Sequence, residues 1–308
     1  MQRKLPSTMP AGSIGFIGLG NMGAPMAHRL VEAGYSLHVH DKSAARRKDF
    51  MDRHPCHAPP DLVSLGRSSE LVITILPDGH IVREVLLGVG GVAAGMSANA
   101  LVIDMSSSSA VGTLETAALL AESGIGFIDA PVSGGVKKAV DGTLAIMAGG
   151  DAHLIDRVRP VLETMGQVFH TGSVGSGHAM KSLNNYLSAA SLASAAEAII
   201  AGKAFGLDPV RMIEILNASS GRSNSTENKF PGFILNQAYN SGFGIGLLAK
   251  DLRLTRELMD CTGTPDTLLR ACAGIWQQAA QHLGELADHT EVYKFLESIS
   301  SDAKSQDT

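Results

Sequence analysis

Three glycines spaced G-x-G-x-x-G, in Gly18-Leu19-Gly20-Asn21-Met22-Gly23, follow the short apolar run Ile14–Gly18 and open a helical pattern from about Met22 to Ala33. Each glycine has a separate task there. Gly18 permits a tight turn, Gly20 lets the backbone approach a pyrophosphate, and Gly23 lets the helix pack on the strand. Backbone N–H groups and the positive end of the helix dipole then face phosphate oxygens. Asp41 lies 21 residues past Gly20, at the end of a second run, Tyr35–His40. A carboxylate there accepts hydrogen bonds from the adenosine ribose hydroxyls and repels a 2′-phosphate, so the spacing favours NAD. Lys42, Arg46 and Arg47 follow at once, and cations at these positions leave NADP open.

A second constellation lies further along. From His178 to Phe205 there is no proline and a single glycine, Gly202, which predicts one long helix. On it Lys181, Asn184 and Asn185 share a face through their i, i+3 and i+4 spacing. An ammonium can donate to a carbonyl oxygen as it becomes an alkoxide, and the amine takes the proton back in the reverse direction. Burial beside another cation lowers a lysine from its usual value of about 10.4 and favours that role. Ser133-Gly134-Gly135 follows the run Gly126–Ala130 and offers consecutive N–H groups and a hydroxyl, a cradle suited to a carboxylate. Lys137 and Lys138 come next and read as solvated.

The elements that must hold these groups alternate through the first half. Apolar runs recur at Leu71–Leu76, stopped by Pro77, at Ala100–Met105, at Gly126–Ala130 and at Leu144–Ala148, with helical stretches such as Gly112–Ser123 between them. Repeated β-α units with short apolar strands predict a parallel sheet covered by helices on both faces. After about Ser176 the alternation stops and the chain reads as helical, with loops through Ser219–Glu227 and Asn240–Gly246. Asp208 and Pro209 fit the N-cap and first position of a further helix. Two domains follow, residues 1–175 and 176–308, and the polar tail after about Ser300 reads as disordered. The many alanines of the long helix allow close approach of another helix and suggest a homodimer or homotetramer formed through the second domain.

With 308 residues, 44% hydrophobic and 18% charged, the chain can bury a sizeable core. A net charge of −5 argues against a nucleic-acid partner held by bulk positive charge. The apolar stretches are broken well before the roughly 20 residues that cross a bilayer, and residues 1–13 lack the apolar core of a secretory signal. Three cysteines, Cys56, Cys261 and Cys272, are odd in number and show no C-x-x-C spacing, which points to a reduced, cytoplasmic setting. His54, Cys56 and His57 cluster without a second ligand pair, and His38 and His40 alternate on a strand, so no metal site is expected.

The chain resembles the β-hydroxyacid dehydrogenase family in five blocks: GFIGLGNMGAPMA at 15–27, DAPVSGG at 129–135, DGTLAIMAGG at 141–150, GSGHAMKSLNN at 175–185 and GFGIGLLAKDL at 242–252. The resemblance implies an α/β Rossmann-type N-terminal domain, an all-α C-terminal domain and an active site in the cleft between them. It also implies NAD(P)-dependent oxidation of a hydroxyl β to a carboxylate, and the reverse reduction. Lys181 matches the catalytic lysine of the family. Asn185, with Asn184 beside it, matches the asparagine that orients substrate and lysine. Ser133, Gly134 and Gly135 match the cradle for the substrate acid, and Phe243 and Asp251 fall in the matching block of the helical domain. Cofactor contacts carried over are the turn from Gly18 to Gly23, Asp41, Leu76-Pro77 at a strand end, Ser107 where the family usually has threonine, and Lys250 toward the nicotinamide end.

Residue types leave the substrate open. Arg222 suits a second carboxylate, a sulfonate or a phosphate, and equally a surface role. Ser223, Asn224, Ser225 and Thr226 suit the hydroxyls of a sugar acid, as in tartronate semialdehyde reductase or L-threonate dehydrogenase. Phe230, Phe233 and Phe243 suit a methyl-bearing acid such as 3-hydroxyisobutyrate. Two readings of another kind remain: a non-catalytic dinucleotide sensor, which Lys181 speaks against, and a phosphogluconate-type decarboxylating dehydrogenase, for which the helical domain is short.

Overall fold

The computed structural model describes residues 13–306; residues 1–12, which include most of the stretch read for a signal, and residues 307–308 lie outside it. The chain forms two compact units, Met1–Lys181 and Ser182–Thr308.

The first unit is built on a single sheet. Five strands run parallel in the order β2 (Leu37–His40), β1 (Ile14–Ile17), β3 (Leu71–Thr74), β4 (Leu101–Asp104) and β5 (Gly126–Asp129). Their register aligns Leu37, Ile14, Leu71, Leu101 and Gly126 in one row across the sheet. Alternation of side chains between two covered faces explains why the central runs β1, β3 and β4 are apolar at nearly every position, whereas the edge strand β2 alternates Leu37 and Val39 with His38 and His40. Leu71, Ile73, Leu101 and Ile103 enter one core with Met26 and Leu30 of α1 (Gly23–Glu32), whereas Val72 and Val102 enter the other. Helices α2 (Ala44–Arg53), α3 (Leu62–Arg67), α4 (Gly79–Leu87) and α5 (Ala110–Glu122) link the strands.

Beyond β5 the expected parallel sheet turns antiparallel. Strands β6 (Val132–Ser133) and β7 (Leu144–Gly149) are joined through α6 (Gly135–Asp141), and β7 pairs antiparallel with both β5 and β6. The link from Ser133 to Leu144 falls short of the dozen or so residues that a parallel crossover needs, so the chain folds back. Helix α7 (Ala152–Leu162) then returns β8 (Gly166–Gly172) parallel to β7. The unit is an α/β, Rossmann-type domain with a mixed edge.

The second unit is helical. Helix α8 (Ser176–Phe205) runs into it from the first, followed by α9 (Pro209–Asn217), α10 (Ile245–Thr262), α11 (Thr267–Leu283) and α12 (Val292–Gln306). Asp208 caps α9 by accepting from the Arg211 N–H, with Pro209 in the first position as its sequence predicts. The core centres on fully buried Trp276 and Phe230, and Trp276 donates its indole N–H to the Ala189 carbonyl at 3.3 Å. Among the described residues no helix is long and apolar enough to cross a membrane.

Two expectations change here. The loop read through Glu227 ends earlier, because a π-helix spans Ser225–Ile234. Ser225 and Thr226 are buried in it, their hydroxyls bonded to Ser191 and Ser223, so a polar run is folded inward instead of left in solvent. The wider winding also accommodates Pro231, which has no N–H to give to a preceding carbonyl. The tail read as disordered continues α12 to Gln306.

Candidate active site

The glycine turn joins β1 to α1. Gly18 has φ +106°, and a Cβ there would lie 2.2 Å from the Ile75 carbonyl oxygen. A Cβ on Gly23 would lie 1.8 Å from the Gly18 oxygen. These two glycines are required by the fold. Gly20 differs: a Cβ there meets no described atom within 4 Å. The open backbone lies where the sequence pattern places a pyrophosphate, so the turn fits a dinucleotide. Asn21 is exposed, and Met22 precedes α1 without a side-chain cap. In the first turn of the helix the Ala24 N–H donates to the Gly20 carbonyl at 3.0 Å, and Pro25 has no N–H.

Asp41 is buried at the end of β2 and braces this turn. One carboxylate oxygen accepts the Leu19 N–H at 2.8 Å and the other the Ser43 N–H at 2.8 Å. Arg46 stands 3.9 Å from the carboxylate, and Arg47 donates to the Asp41 carbonyl. The acid therefore orders the glycine turn as well as standing at the strand end expected to meet a ribose.

The next two strand ends are tied to each other. The Leu76 N–H donates to the Ser106 hydroxyl at 2.8 Å, while Asp104 accepts the Ser106 N–H at 3.0 Å and the Ser108 hydroxyl at 2.9 Å. Ser109 caps α5 by accepting the Gly112 N–H. The serine run thus divides its labour: Ser106 and Ser108 are buried, and Ser107 is half-buried. Pro77 is exposed beside Leu76. Ser133 closes β6 half-buried, and Gly134 and Gly135 follow it exposed at the start of α6.

Lys181 is half-buried on α8. One turn further, in the second unit, Asn184 donates to Asn185 at 3.1 Å, and Asn185 donates to Asp251 at 2.5 Å. The buried Asp251 carboxylate also lies 3.6 Å from the Lys250 ammonium, whose side chain is 17% exposed. Phe243 is fixed by a residue that sequence reasoning did not single out. Buried His289 donates its backbone N–H to the Phe243 carbonyl at 2.8 Å, places Nδ1 at 3.1 Å from the same oxygen, and meets the Phe243 ring edge-on at 5.6 Å. Asp288 accepts the Ser241 hydroxyl and the Gly242 N–H, completing the latch on this loop. These residues lie outside the matching blocks, and only their contacts reveal them.

Burial pushes His289 down to about 4, with Lys229 adding to the shift and Asp288 opposing it. A histidine lowered from 6.5 to about 4 stabilises the fold fully above pH 6.5, and that contribution is lost as pH falls toward 4. The gap corresponds to about 3 kcal/mol. Urea midpoints should therefore fall between pH 6.5 and 4 more steeply in the parent protein than in His289→Phe; equal slopes would remove His289 from the acid sensitivity.

The substrate candidates fare unequally. Phe230 is fully buried in the helical core and is withdrawn from any ligand, contrary to the role its type suggested. Arg222 is exposed and lies 3.5 Å from Glu227, a surface pair worth little. Phe233 is half-buried, with the Lys229 ammonium 5.7 Å from its ring centre.

A doubly covered sheet whose first turn is a glycine cradle braced by a buried acid, followed by a helical unit with buried Asn185 and Asp251 and a half-buried Lys250, defines an NAD(P)-dependent dehydrogenase. Residues 13–175 match the family described as the NAD binding domain of 6-phosphogluconate dehydrogenase, and residues 175–296 that described as NAD-binding of NADP-dependent 3-hydroxyisobutyrate dehydrogenase. The chain is 40% identical to 2-(hydroxymethyl)glutarate dehydrogenase of Eubacterium barkeri over 79% of its own length and 81% of that enzyme. It is 35% identical to the mitochondrial 3-hydroxyisobutyrate dehydrogenase of Rattus norvegicus over 96% of its length and 89% of that chain. Among solved structures, 3-hydroxyisobutyrate dehydrogenase of Mycobacterium tuberculosis with L-serine superposes with a TM-score of 0.87 at 32% identity, covering 92% of this chain and 99% of that one. The chain belongs to the β-hydroxyacid dehydrogenase family.

Proposed function

We propose that the protein oxidises a 3-hydroxyisobutyrate-like β-hydroxy acid to its semialdehyde with NAD, or runs the reverse reduction, with Lys181 as the general acid and base. The observation that carries this reading is the polar series on α8: a half-buried lysine, then Asn184 and Asn185 one turn on, with Asn185 bonded to buried Asp251. In this reading residues 1–175 bind coenzyme and residues 176–308 bind substrate and self-associate.

NAD, when bound, supplies the hydride acceptor. Gly18, Leu19, Gly20, Asn21, Met22 and Gly23 hold its pyrophosphate, Asp41 its ribose, and Leu76, Pro77, Ser107 and Lys250 its remaining length. Ser133, Gly134 and Gly135 take the substrate carboxylate through N–H groups and a hydroxyl. The amine of Lys181 takes the hydroxyl proton as the carbon–oxygen bond gains double-bond character, and returns it in reduction. Asn184 and Asn185 orient the hydroxyl and the lysine, Asp251 fixes Asn185, and Phe243 covers the apolar side of the substrate. The Asp41 carboxylate favours NAD over NADP by repelling a 2′-phosphate.

Exposed Ser194, Ala198, Ala201 and Ala204 on α8 support a homodimer or homotetramer, since small side chains let a second helix approach closely. The free thiols of Cys56, Cys261 and Cys272 support a reducing, cytoplasmic location. The test is a substrate panel at saturating NAD and, separately, at saturating NADP, read at the absorbance band of the reduced coenzyme. It comprises 3-hydroxyisobutyrate, 2-(hydroxymethyl)glutarate, L-threonate, glycerate and 4-hydroxybutyrate. The highest kcat/KM is expected for 3-hydroxyisobutyrate. Faster turnover of L-threonate or glycerate would transfer the assignment to a sugar acid, and no turnover with either coenzyme would favour the sensor.

A further inference from the structure

The first unit holds a buried ionisable cluster that the reaction above does not use. His178 sits in the first turn of α8, its side chain fully buried between two strand-end carboxylates. Its Nε2 faces Asp104 of β4 at 3.6 Å and its Nδ1 faces Asp129 of β5 at 3.8 Å. The Thr113 hydroxyl of α5 lies 2.7 Å from Nδ1. Nε2 makes no hydrogen bond among the described residues and faces the Asp104 carboxylate. Asp129 in turn accepts the Gly175 N–H at 2.7 Å and the His178 N–H at 2.8 Å, gripping the start of the helix. Burial raises Asp129 above the usual carboxylate range, against the opposing pull of His178 and these N–H groups. Gly177 completes the contact, since a Cβ there would fall 2.2 Å from the Met147 carbonyl.

We infer that His178 is a positioning residue: wedged between Asp104 and Asp129, it fixes the placement of the first turn of α8 and so of Lys181, three residues later. Three elements, β4, β5 and α5, converge on one imidazole. The same Asp104 carboxylate orders Ser106 and Ser108, and accepts the Thr74 hydroxyl at 2.9 Å. The lysine helix and the coenzyme loops are therefore set against one acid. A buried imidazole in such a place has a geometric task, because catalytic groups lose rate steeply when displaced by an ångström. The inference rests on Lys181 acting as the proton carrier.

The experiment compares His178→Leu, His178→Gln, Asp104→Asn and Lys181→Ala in the full chain. Their kcat, KM for NAD, NADH affinity by fluorescence titration and amide exchange over 175–181 are measured. His178→Leu should lower kcat roughly ten- to hundredfold, keep KM and NADH affinity within about twofold, and speed exchange in the first turn of α8. His178→Gln, whose amide nitrogen reaches toward Asp104, should recover most of kcat. Asp104→Asn should raise KM for NAD as well as lower kcat. If His178→Leu is folded with kcat within twofold of the parent, or behaves as Asp104→Asn does, the inference is overturned. Should His178→Leu fail to fold, Thr113→Val, which removes a single hydroxyl, must still lower kcat several-fold; an unchanged kcat overturns the inference. Normal turnover in Lys181→Ala would bring down the proton-carrier reading itself, an outcome separable from a silent His178.

Discussion

Replacing Lys181 by alanine should reduce kcat by about 10²–10⁴-fold, the range that a positioned proton carrier contributes, while NADH binds as to the parent protein. In the proposed reaction, alcohol oxidation leaves a proton with no place to go once hydride departs, and water is a poor substitute for an amine positioned to take it. Lys181→Arg should not rescue the reaction, because a guanidinium stays charged at every working pH and takes no proton from an alcohol. The second asparagine offers a graded comparison. Asn185→Ala leaves the buried Asp251 without its 2.5 Å donor while Lys250 remains 3.6 Å away, so the effect should fall below that of the lysine. Steady-state NADH formation with coenzyme titration separates the two losses. Turnover of Lys181→Ala within tenfold of the parent would remove the lysine from the proton path.

How far the sequence reveals the site depends on what kind of signal each residue leaves. The glycine turn is legible because its constraints are local: φ +106° at Gly18 and the contact between Gly23 and the Gly18 oxygen demand glycine at those positions. The central strands β1, β3 and β4 are legible because burial on both faces makes nearly every residue apolar, and β2 because Leu37 and Val39 alternate with His38 and His40. The antiparallel edge is not, since Leu144–Gly149 has the same apolar character and only the length of the link decides its direction. The stretch Ser225–Thr226 misleads for a different reason. Its polarity reads as solvent exposure, yet each hydroxyl finds a protein partner and both residues are buried. Composition reports the need for hydrogen bonds and says nothing about where they are met. His178 and His289 leave still less trace: each is one histidine whose meaning comes from residues 46 to 74 positions away in the chain.

The glycine turn yields the second large effect, in which two neighbouring glycines respond in opposite ways. Gly18→Ala should damage folding. Its side chain would need the disfavoured φ of +106° and would meet the Ile75 carbonyl at 2.2 Å, for a loss of about 2 kcal/mol or more. Gly20→Val should leave the thermal midpoint unchanged, because Gly20 is not among the positive-φ glycines and an added Cβ meets no described atom within 4 Å. Its cost appears with the coenzyme. If the turn takes the pyrophosphate as proposed, a branched side chain fills the space the phosphates would enter, and NAD affinity should fall roughly hundredfold, about 2.7 kcal/mol. Asp41 sharpens the contrast, since its grip on the Leu19 N–H holds the turn in place while the side chain blocks it. Thermal melts with and without NADH read both effects in one experiment: the parent should be stabilised by coenzyme, and Gly20→Val should be stabilised far less at the same NADH concentration. A Gly20→Val protein stabilised by NADH as strongly as the parent would mean that the phosphates lie elsewhere, and the turn would lose its assignment.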